Sequence, residues 1–564
     1  MTAKSPDSYD QTFDLVVVGS GTGLAAALAA HDLGLSTLVV EKTERVGGST
    51  ALSGGAFWIP GNSIIEDGGG DDSLERAAIY LEDIVGDSTD AARWQNYLRH
   101  GRETVDLLRR VTRLKFMWSK GYSDYHSDRP GGSAVGRTCE SRPFDLALLG
   151  EHRSELRRAG MAPPIPMPIT GVDYRVMNLM GTIPQRSFPR AIRRVGQGLV
   201  GKWMGKEYAA GGQALAGGLY DAVLRAGIPV WRETELTDLV TETVDGTERV
   251  TGAVLVRDGQ EVTVAARRGV VLSAGGFDHD MARRHEHQLD SLGEWSLGSP
   301  ANTGDALDVT EKLGAGTALL DQAWWFPAIA PLPGGKPKIM LAERALPGTF
   351  MVGGTGKRFI NESTDYMSFG QEVLRRAKSG DPVGQIWIVF DQKYRNSYVF
   401  GGELFPRMEI PESWYEAGNA VSADSMEELA AKTGLADLAE TGRKFNAMAE
   451  AGTDDEFARG STAYDRYYGD PSHGPNPNLR PLDKGPYYAV KVVLSDLGTC
   501  GGLTADDQAR VLRTDGSVIE GLYAIGNSAA NAFGDKYPGA GATIGQGMVY
   551  GYIAAQHAAG RSKD

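Results

Sequence analysis

The sequence predicts an α/β protein in which a discontinuous, Rossmann-like dinucleotide-binding domain carries an inserted α+β domain. Residues 14–42 read as a strand, a glycine-rich turn, a helix of small residues and a second strand that ends in an acid, which is the order of a dinucleotide-binding βαβ unit. Two further apolar segments that end in glycine, at 269–277 and 521–527, lie far along the chain. Because segments of one sheet are so widely separated along the chain, we expect another domain to be inserted between them.

The first element is the strand that leads into a turn with glycines at positions 19, 21 and 23. Gly19 and Gly21 let the backbone turn sharply and approach a pyrophosphate, and the next helix directs its N-terminal N–H groups at that phosphate. A strict G-x-G-x-x-G pattern would place a glycine at 24, where Leu24 stands, so the third glycine is Gly23. Taken alone, the turn is weak evidence, because a glycine-rich turn between strand and helix can also serve close packing only.

The second strand ends at Glu41, which is suited to bind ribose hydroxyls and would repel a 2′-phosphate. Lys42 follows it, and we count both residues among the predicted cofactor contacts. Directly afterwards comes a second glycine-rich segment, a position where FAD enzymes, unlike most NAD enzymes, place a glycine pair along the diphosphate and ribityl chain. The predicted contacts in this segment are Gly47, Gly48, Ser49, Ser53, Gly54 and Gly55.

The two later segments complete the predicted cofactor site. Ala274 and Gly275 end one apolar run, and Gly526 and Asn527 end the other. Each run alone could be a buried parallel strand with a glycine stop. Four such segments in this order predict FAD rather than NAD.

Composition sets further limits. The chain has 564 residues, of which 41% are hydrophobic, so it can bury a large core and should form two or more domains. Its net charge of −14 and the lack of a basic cluster argue against nucleic-acid binding. The polar start at residues 1–14 is no signal peptide, and no apolar run approaches the length of a transmembrane helix. With two cysteines, no disulfide framework is expected, a reducing cytoplasm is the default, and no metal site is predicted.

We predict that residues 1–320 and 490–564 form the cofactor domain and that residues 321–489 form the inserted one. The sequence pattern of the inserted segment differs from that of the cofactor segments. It has an aromatic run at 324–326, an apolar strand at 385–390 and an amphipathic pattern at 425–449. Residues 103–211, rich in Pro, Arg and Gly, read as an irregular lobe. Residues 211–231 read as a helix that leads into another strand, and residues 542–558 as a helix.

Three segments carry a resemblance to a known family. They are residues 122–132 (YSDYHSDRPGG), 358–370 (RFINESTDYMSFG) and 537–545 (YPGAGATIG). Through them, and over nearly its whole length, the chain resembles the 3-ketosteroid Δ1-dehydrogenases, which belong with the fumarate-reductase-like flavoproteins. The resemblance implies an FAD-binding domain with a catalytic cap domain inserted, non-covalent FAD, and 1,2-desaturation of ring A of a 3-ketosteroid. It also implies an external electron acceptor, either a quinone or a carrier.

By the same resemblance, Tyr366 is the general base and Tyr125 is its hydroxyl partner. Tyr537 and the backbone N–H of Gly541 clamp the 3-keto oxygen. The spacing of 241 positions from Tyr125 to Tyr366 indicates one of the long family members, which carry an insertion there. We expect Tyr122, Trp325 and Phe326 to line the substrate pocket, although an aromatic cluster such as 324–326 also suits a domain core.

The chemistry of these residues agrees with that reading. Hydride removal from an unactivated ring carbon requires an acidic neighbouring C–H, and a ketone provides it if its oxygen is hydrogen-bonded while it gains enolate character. The positive N-terminal end of the helix at 542 would face both that oxygen and the flavin, so Thr543 and Ile544 are predicted cofactor contacts. A phenol has an ordinary pKa of about 10, and a second phenol donating to the phenolate would stabilise it.

Three alternatives stay open at this point. A ketosteroid dehydrogenase acting on carbons 4 and 5 of a 5α-steroid could use the same clamp. A fumarate-reductase-type enzyme would need cations for two carboxylates and a histidine in the loop at 495–502, which has none. A flavin-binding protein without turnover would leave the tyrosines unused. The sequence leaves open the steroid side chain, the acceptor, the oligomeric state and peripheral contact with a membrane.

Overall fold

The computed structural model describes residues 9–160, 165–244 and 247–561. The expectations for the first eight residues and for Pro163 and Pro164 lie outside the described residues. In chain order, the strands are β1 (Gln11–Val18), β2 (Thr37–Val40), β3 (Ala56–Trp58), β4 (Phe116–Trp118), β5 (Thr138–Ser141), β6 (Phe144–Asp145), β7 (Tyr208–Ala209), β8 (Val230–Trp231), β9 (Thr234–Val244), β10 (Thr247–Arg257), β11 (Gln260–Leu272), β12 (Thr317–Ala318), β13 (Ala323–Ile329), β14 (Lys338–Ile339), β15 (Thr349–Val352), β16 (Ile386–Asp391), β17 (Ala420–Ala423), β18 (Tyr487–Thr499), β19 (Gly502–Leu503), β20 (Arg510–Leu512) and β21 (Val518–Ala524).

The helices are α1 (Gly23–Asp32), α2 (Gly48–Leu52), α3 (Ser63–Asp67), α4 (Leu74–Val85), α5 (Ala91–Val111), α6 (Gly171–Met177), α7 (Pro184–Trp203), α8 (Gly211–Arg225), α9 (Met281–His287), α10 (Asp305–Glu311), α11 (Tyr366–Lys378), α12 (Gln392–Ser397), α13 (Glu412–Glu416), α14 (Met426–Thr433), α15 (Leu438–Ala451), α16 (Ala463–Tyr467) and α17 (Ala542–Ala558). Short 3₁₀ segments cover Leu146–Glu155, Glu343–Ala345 and Gly526–Ser528.

An eight-stranded sheet forms the first centre of the fold. Strands β8, β2, β1, β11 and β21 are hydrogen-bonded in this spatial order, and each neighbouring pair is parallel. Strands β9 and β10 join β11 as antiparallel neighbours, and β20 pairs antiparallel with β21. The prediction that segments from both ends of the chain build one sheet is confirmed.

The sequence of β1 explains why this sheet is buried on both faces. Leu15 and Val17 enter one hydrophobic core together with the residues of α1, whereas Val16 and Val18 enter a second core on the opposite face. A near-continuous apolar strand is typical of a parallel sheet covered on both sides. The small residues of α1 let it lie against α17, where a β-carbon placed on Gly551 would meet that of Ala26 at 3.0 Å.

A second sheet has six strands, all antiparallel, in the order β14, β13, β18, β16 and β15, with β17 also paired to β18. The strand predicted at 385–390 is β16, and the amphipathic pattern at 425–449 is the helix pair α14 and α15. The chain enters this sheet through β13 and leaves it through β18, where Ala323 is paired with Thr499. The three predicted domain segments stay a prediction, and β18 runs across the boundary expected at 489.

The prediction of an irregular lobe at 103–211 is wrong for much of its length. The segment contains the end of α5, the short helix α6 and the 20-residue helix α7. Pro189 lies inside α7, and three glycines follow it in the same helix. Proline and glycine usually interrupt helices, which is why the pattern was misleading. Helix α8, strand β8 and helix α17 lie where the sequence predicts them.

Both cysteines, Cys139 and Cys500, are buried and free, as expected without a disulfide framework. Burial raises the pKa of Cys139 to about 12, so its thiol stays protonated. Among the described residues, none of the helices combines the length and the apolar character that crossing a bilayer requires.

Candidate active site

The carboxyl ends of β1, β2, β11 and β21 meet at one edge of the eight-stranded sheet, and the predicted glycine segments follow them there. Gly19, Gly47, Gly275 and Gly526 all have positive φ angles, of 103°, 115°, 86° and 57°. These backbone conformations favour glycine because a β-carbon would be strained. Ligands of open α/β sheets bind outside the carboxyl ends of the strands, so this edge is the candidate cofactor site.

The glycines of the first turn are also required by close packing. A β-carbon on Gly19 would lie 2.2 Å from the carbonyl oxygen of Ser273, and one on Gly23 would lie 2.3 Å from the Ser273 hydroxyl. Gly23 thus provides the close contact between helix and strand expected of the third glycine. On Gly21 the nearest atom would be the Thr50 hydroxyl, at 3.1 Å.

Glu41 is a buried carboxylate at the end of β2. One of its oxygens accepts a hydrogen bond from the Ser20 hydroxyl (2.5 Å), and the other accepts from the N–H and hydroxyl of Thr43 (2.9 and 2.8 Å). These donors orient the carboxylate and support its predicted role as a ribose acceptor. Lys42 points elsewhere, since its ammonium group pairs with Asp305 at 2.7 Å, and its assignment to the cofactor stays a prediction.

The second glycine segment forms α2 and the turn after it. The Ser49 hydroxyl accepts hydrogen bonds from the N–H of Ser299 (2.9 Å) and from the Asn302 amide (3.0 Å). Gly48 and Gly54 face open space, because a β-carbon on either would meet no protein atom closer than 3.9 Å. Gly55, by contrast, has no room for a side chain, because a β-carbon on it would lie 2.2 Å from the carbonyl carbon of Gly211. The Ser53 hydroxyl holds this turn by accepting from the Gly55 N–H (3.0 Å).

The last two predicted cofactor segments are joined by hydrogen bonds. The Asn527 side-chain oxygen accepts from the Thr543 hydroxyl (3.1 Å) and from the Trp324 indole N–H (3.0 Å). The Ser528 hydroxyl donates to the carbonyl oxygen of Gly275 (3.0 Å), beside Ala274 at the end of β11. These contacts bring the start of α17, where Ile544 is buried, to the same sheet edge.

The set of groups at this edge fits FAD. It combines an oriented buried carboxylate for a ribose, two helices, α1 and α17, that begin there, and glycines that leave open space. Roles of individual residues toward the cofactor remain predictions.

Tyr125, Tyr366 and Tyr537 form a nearly equilateral triangle beside this site. Their ring centroids are 5.4 Å apart for 125 and 366, 5.2 Å for 125 and 537, and 5.4 Å for 366 and 537. All three side chains are buried, with 3–5% of their surface exposed. The structure therefore brings together three residues that come from three remote segments of the chain.

Tyr125 is held by the loop before β5. Its neighbour Asp124 is fully buried and accepts hydrogen bonds from the Trp58 indole (2.8 Å) and the Ser133 N–H (3.0 Å). Arg137 pairs with the same carboxylate. Burial nevertheless raises the pKa of Asp124. The hydroxyl of Tyr125 is buried with no hydrogen-bond partner among the described residues, which leaves it free to bond another phenol or a ligand.

Tyr366 is the first residue of α11, and the preceding segment is fixed by charges. Asp365 caps the helix by accepting from the Ser368 N–H (2.9 Å). Glu362 pairs with Arg358 at 2.7 Å, and both are buried. The Asn361 side chain accepts from the Ser363 N–H (2.8 Å). Asn361 and Glu362 thus fix this turn.

Tyr537 lies in the turn that leads into α17. Gly541, the residue before the helix, has a φ of 88°, and a β-carbon there would lie 2.2 Å from the Ala56 carbonyl oxygen. Burial raises the pKa of Tyr537 to about 12, and hydrogen bonds from Tyr366 and from the backbone of Gly541 and Thr543 oppose that rise. The backbone at the start of α17 is therefore close enough to the Tyr537 hydroxyl to influence its pKa.

Burial also dominates the acidity of the other two phenols. It raises the pKa of Tyr366 well above its ordinary value, while the neighbouring Tyr125 hydroxyl opposes that rise. The pKa of Tyr125 is raised well above its ordinary value by burial and by the surrounding tyrosines. Both phenols are consequently protonated at neutral pH in the protein without ligand.

The side chains around the tyrosine triangle are aromatic, and they differ in part from the predicted pocket residues. Phe326 lies 4.8 Å from Tyr366, as expected of a pocket residue. Trp324, which the predicted pocket omits, lies 4.7 Å from Tyr537. Trp325 instead lies over the guanidinium group of Arg284 at 5.6 Å, and its role in the pocket stays a prediction.

Further tyrosines extend the cluster on the side of Tyr125. Tyr464 lies 4.7 Å from Tyr125, and its buried hydroxyl has no partner among the described residues. Tyr122 stacks on Tyr467 at 4.3 Å and accepts a hydrogen bond from the Tyr468 hydroxyl (2.9 Å). The sequence analysis did not identify Tyr464, Tyr467 and Tyr468. Their spacing, Tyr464-x-x-Tyr467-Tyr468, resembles that of Tyr122-x-x-Tyr125 and is the signal that could have identified them.

Comparisons with known proteins agree with this geometry. Residues 14–544 match the model of a family described as FAD binding domain. A 3-oxosteroid 1-dehydrogenase of Mycobacterium tuberculosis is 43% identical over 97% of this chain and 98% of its own length. A 4-oxocyclohexanecarboxylate 2-dehydrogenase of Sinomonas cyclohexanicum is 35% identical over 98% and 93%. The solved structure of a 3-ketosteroid Δ1-dehydrogenase from Sterolibacterium denitrificans, in complex with 1,4-androstadiene-3,17-dione, is 38% identical, with a TM-score of 0.92 over 98% of this chain and all of that one.

Proposed function

Because this chain belongs to the family of FAD-dependent 3-oxosteroid 1-dehydrogenases, we propose that it introduces a double bond between carbons 1 and 2 of ring A in a 3-ketosteroid. The observation that carries the proposal is the triangle of Tyr125, Tyr366 and Tyr537 at the start of α17. The ring centroid of the candidate base, Tyr366, lies 5.4 Å from that of the candidate ketone clamp, Tyr537. The aromatic side chains around both rings suit an apolar substrate.

In this proposal, Tyr537 and the N–H of Gly541 hold the 3-keto oxygen. The backbone of Gly541 lies close enough to the Tyr537 hydroxyl to lower its pKa, which supports the proposal that both groups reach one ketone oxygen. As carbon 2 loses its proton, the ketone oxygen gains negative charge and these hydrogen bonds become stronger. The N-terminal end of the 17-residue helix α17 adds a favourable electrostatic field at the same place.

Tyr366 removes the proton from carbon 2, and Tyr125 supports it. The phenol must be deprotonated to act, and burial opposes its ionisation. The unpaired hydroxyl of Tyr125 can donate to the Tyr366 phenolate at that stage, which lowers the cost. FAD, held at the glycine-rich sheet edge, would supply the acceptor for the hydride that leaves carbon 1. We further propose that an external acceptor, a quinone or a carrier protein, takes the electrons afterwards.

Two other classes of ketone are chemically possible substrates of this site. A 5α-steroid desaturated at carbons 4 and 5 would use the same clamp, but the relatives at 43% and 38% identity carry the Δ1 activity in their names. A one-ring ketone with a carboxylate is the substrate named for the 35% identical relative. The aromatic walls around the triangle, with Trp324 and Phe326, favour a large apolar ring system over a carboxylate.

The proposed substrate is sparingly soluble in water and partitions into membranes. We therefore propose that the protein works in the cytoplasm and associates peripherally with a membrane surface.

The reaction is tested with a substrate panel and an artificial electron acceptor. A 3-keto-4-ene steroid should be converted to a 1,4-diene, identified by mass spectrometry and proton NMR. A 5α-steroid without ring double bonds and 4-oxocyclohexanecarboxylate form the comparison arms. A product with the new double bond at carbons 4 and 5, or turnover of only the one-ring ketone, would overturn the proposal.

A further inference from the structure

Arg344 is a buried arginine without a carboxylate partner. It lies in the short 3₁₀ segment Glu343–Ala345 and is 1% exposed. Among the residues that the structure describes, no carboxylate lies within ion-pair distance of its guanidinium group. Arg358 and Arg459 are also buried, but both pair with Glu362. Because burying an unpaired charge costs free energy, we expect Arg344 to serve a specific purpose.

Arg344 fixes the main chain in front of the proposed base. Its guanidinium group donates hydrogen bonds to the carbonyl oxygen of Glu362 and, at 2.6 Å, to that of Thr364. Thr364 lies two residues before Tyr366, the first residue of α11. The Nε–H of Arg344 is buried and has no hydrogen-bond partner among the described residues. The side chain therefore holds the segment that carries Tyr366 and leaves one donor unused.

Tyr464 connects this cation to the tyrosine triangle. The Tyr464 ring lies 4.7 Å from that of Tyr125, and the hydroxyls of both residues are buried without a partner in the described part of the chain. Burial raises the pKa of Tyr464 well above its ordinary value, and the charge of Arg344 opposes that rise. Arg344 has the same effect on Tyr122, whose pKa is also raised by burial. The positive charge thus acts on two phenols that border Tyr125.

The anions around these phenols act in the opposite direction. Asp365, the cap of α11, and Asp465 on α16 both add to the rise in the pKa of Tyr464. Glu140 has the same effect on the other phenol. Glu343, next to Arg344 in the chain, is buried, and burial raises the pKa of its carboxyl to about 7. A negative charge that forms among these tyrosines therefore meets carboxylates on several sides.

The other cations near the triangle are committed to partners. Arg137 pairs with the carboxylates of Asp72 and Asp124 in the region that holds Tyr125. Arg175 lies over the ring of Tyr467 at 4.1 Å and is partly exposed to solvent. Within the part of the chain that the structure describes, this leaves the Arg344 side chain as the buried cation that can offset a new negative charge beside the base.

We propose that Arg344 is a positioning residue that supplies the counter-charge for the phenolate of Tyr366. A buried cation stabilises an anion over several ångströms, because the protein interior screens charge weakly. Without the guanidinium group, a phenolate at this place would face the carboxylates of Asp365 and Asp465 with no buried cation to offset them. The same group holds the carbonyl oxygens in front of the base, so it sets both the position and the acidity of that phenol. The inference rests on the proposed reaction, in which Tyr366 is the base.

The test follows the ionisation of one phenol in the FAD-loaded protein. Incorporation of 3-fluorotyrosine at position 366 lets fluorine NMR follow the titration of that phenol alone, and the fluorine brings its pKa into a lower pH range. Arg344→Gln should move this titration up by about one pH unit or more, because it removes a buried positive charge. Arg344→Lys retains the charge and should move the titration much less.

Arg395→Gln is the matched control. Arg395 is also 1% exposed, and its guanidinium group likewise binds carbonyl oxygens, those of Tyr398 (2.7 Å) and Met408 (2.9 Å). Its loss should lower the thermal stability as Arg344→Gln does, but it should leave the titration at position 366 unchanged. Thermal unfolding and flavin absorbance establish that each variant is folded and holds FAD.

The pH–rate profile is the second readout. Arg344→Gln should shift the rising limb of kcat/KM to higher pH by the same amount as the titration, which lowers kcat/KM about tenfold at a given pH on that limb. Arg344→Lys should keep the limb in place but lower kcat by about threefold to tenfold with little change in KM. An ammonium group cannot hold two carbonyl oxygens in the geometry of the planar guanidinium group, so the base is less well aligned.

Three results would overturn the inference. They are an unchanged titration at position 366 in Arg344→Gln, an equal shift in Arg395→Gln, and a shift in Arg344→Lys as large as that in Arg344→Gln. If Arg344→Gln does not fold, Tyr464→Phe decides, because it removes a hydroxyl on which the cation acts. It should move the titration upward by a smaller amount, and no movement would refute the counter-charge. The NMR titration requires no turnover, so a failure of the proposed reaction is recognised separately by the substrate panel.

Discussion

The backbone N–H of Tyr125 donates a hydrogen bond to the carbonyl oxygen of Pro538 at 3.1 Å. The same carbonyl accepts the Tyr80 hydroxyl at 2.7 Å. Pro538 directly follows Tyr537, so the main chains that carry two of the three phenols are tied together independently of the phenols themselves. The triangle is consequently positioned before any substrate binds, as efficient proton transfer requires.

Tyr80 should act as a positioning residue through this contact. Tyr80→Phe removes the 2.7 Å bond to Pro538, and we expect kcat to fall by about threefold to tenfold with little change in KM, because a small displacement misaligns the clamp. Tyr550→Phe is a matched control, since it also removes a 2.7 Å bond from a buried phenol to a carbonyl oxygen, that of Arg93. Equal losses of kcat in both variants would argue against positioning by Tyr80.

Tyr366→Phe should retain FAD and bind steroid but lose kcat by about 10²–10⁴, the usual range for a general base. The loss should appear in kcat and kcat/KM together, because the interaction is made in the transition state. Steady-state kinetics and steroid-induced changes in the flavin spectrum measure the two properties. Tyr394→Phe, a buried phenol in the six-stranded sheet region, should keep nearly full activity.

The pH dependence should reveal the role of Tyr125. The active form of Tyr366 is the phenolate, and its pKa is raised well above the ordinary value, so kcat/KM should rise about tenfold per pH unit on the acid side of that pKa. The nearby Tyr125 hydroxyl lowers the pKa of Tyr366. Tyr125→Phe should therefore shift the rising limb of the pH–rate profile to higher pH. An unchanged limb would exclude this pairing.

The ketone clamp can be tested without oxidation. Tyr537→Phe should lower kcat/KM by about 10²–10³, the usual loss for one donor to a developing oxyanion. With the enzyme kept reduced, wild type should still exchange hydrogen at carbon 2 of a 3-ketosteroid with deuterated water, which NMR detects. Tyr537→Phe should slow the exchange, and Tyr366→Phe should nearly abolish it. If Tyr537→Phe exchanges as fast as wild type, another donor holds the ketone.

The cofactor site makes a visible prediction. The purified protein should be yellow, and denaturation should release FAD, since we expect no covalent bond. Glu41→Arg should lose the flavin, because it removes the ribose acceptor and adds a cation in a buried place. Glu44→Arg changes an exposed carboxylate three residues later and should stay yellow. A colourless wild type that remains active would contradict the FAD assignment.

Local patterns predicted the cofactor edge well, since glycine turns, a terminal acid and apolar strands act over a few residues. Helix α17 was predicted with both its ends. The distances within the tyrosine triangle depend on contacts between remote segments, which no short pattern contains. The predicted pocket set includes Trp325 and omits Trp324, and that assignment stays a prediction. The register of β13 against β18 shifts between Ala323 and Trp325, so simple alternation does not give the inward side chain.

Helix α7 was not predicted because proline and glycine normally interrupt helices. In addition, the apolar residues on its exposed side give the same periodicity as a helix whose apolar side is buried. Only the packing of Ser187, Gly198 and Gly201 against the body distinguishes the two orientations. That information lies in the tertiary structure and not in the periodicity.

The paired strands β13 and β18 connect the two large sheets, and their ladder includes the pair Ala323 and Thr499. A two-stranded ribbon bends and twists readily but resists sliding of one strand along the other, because sliding breaks its hydrogen bonds. Arg284 and Ser296 hold Asp496 on this ribbon, at 2.7 and 2.6 Å. These contacts oppose sliding of the six-stranded sheet along the flavin edge, and they thereby keep the Tyr366 ring at a fixed position relative to Tyr537.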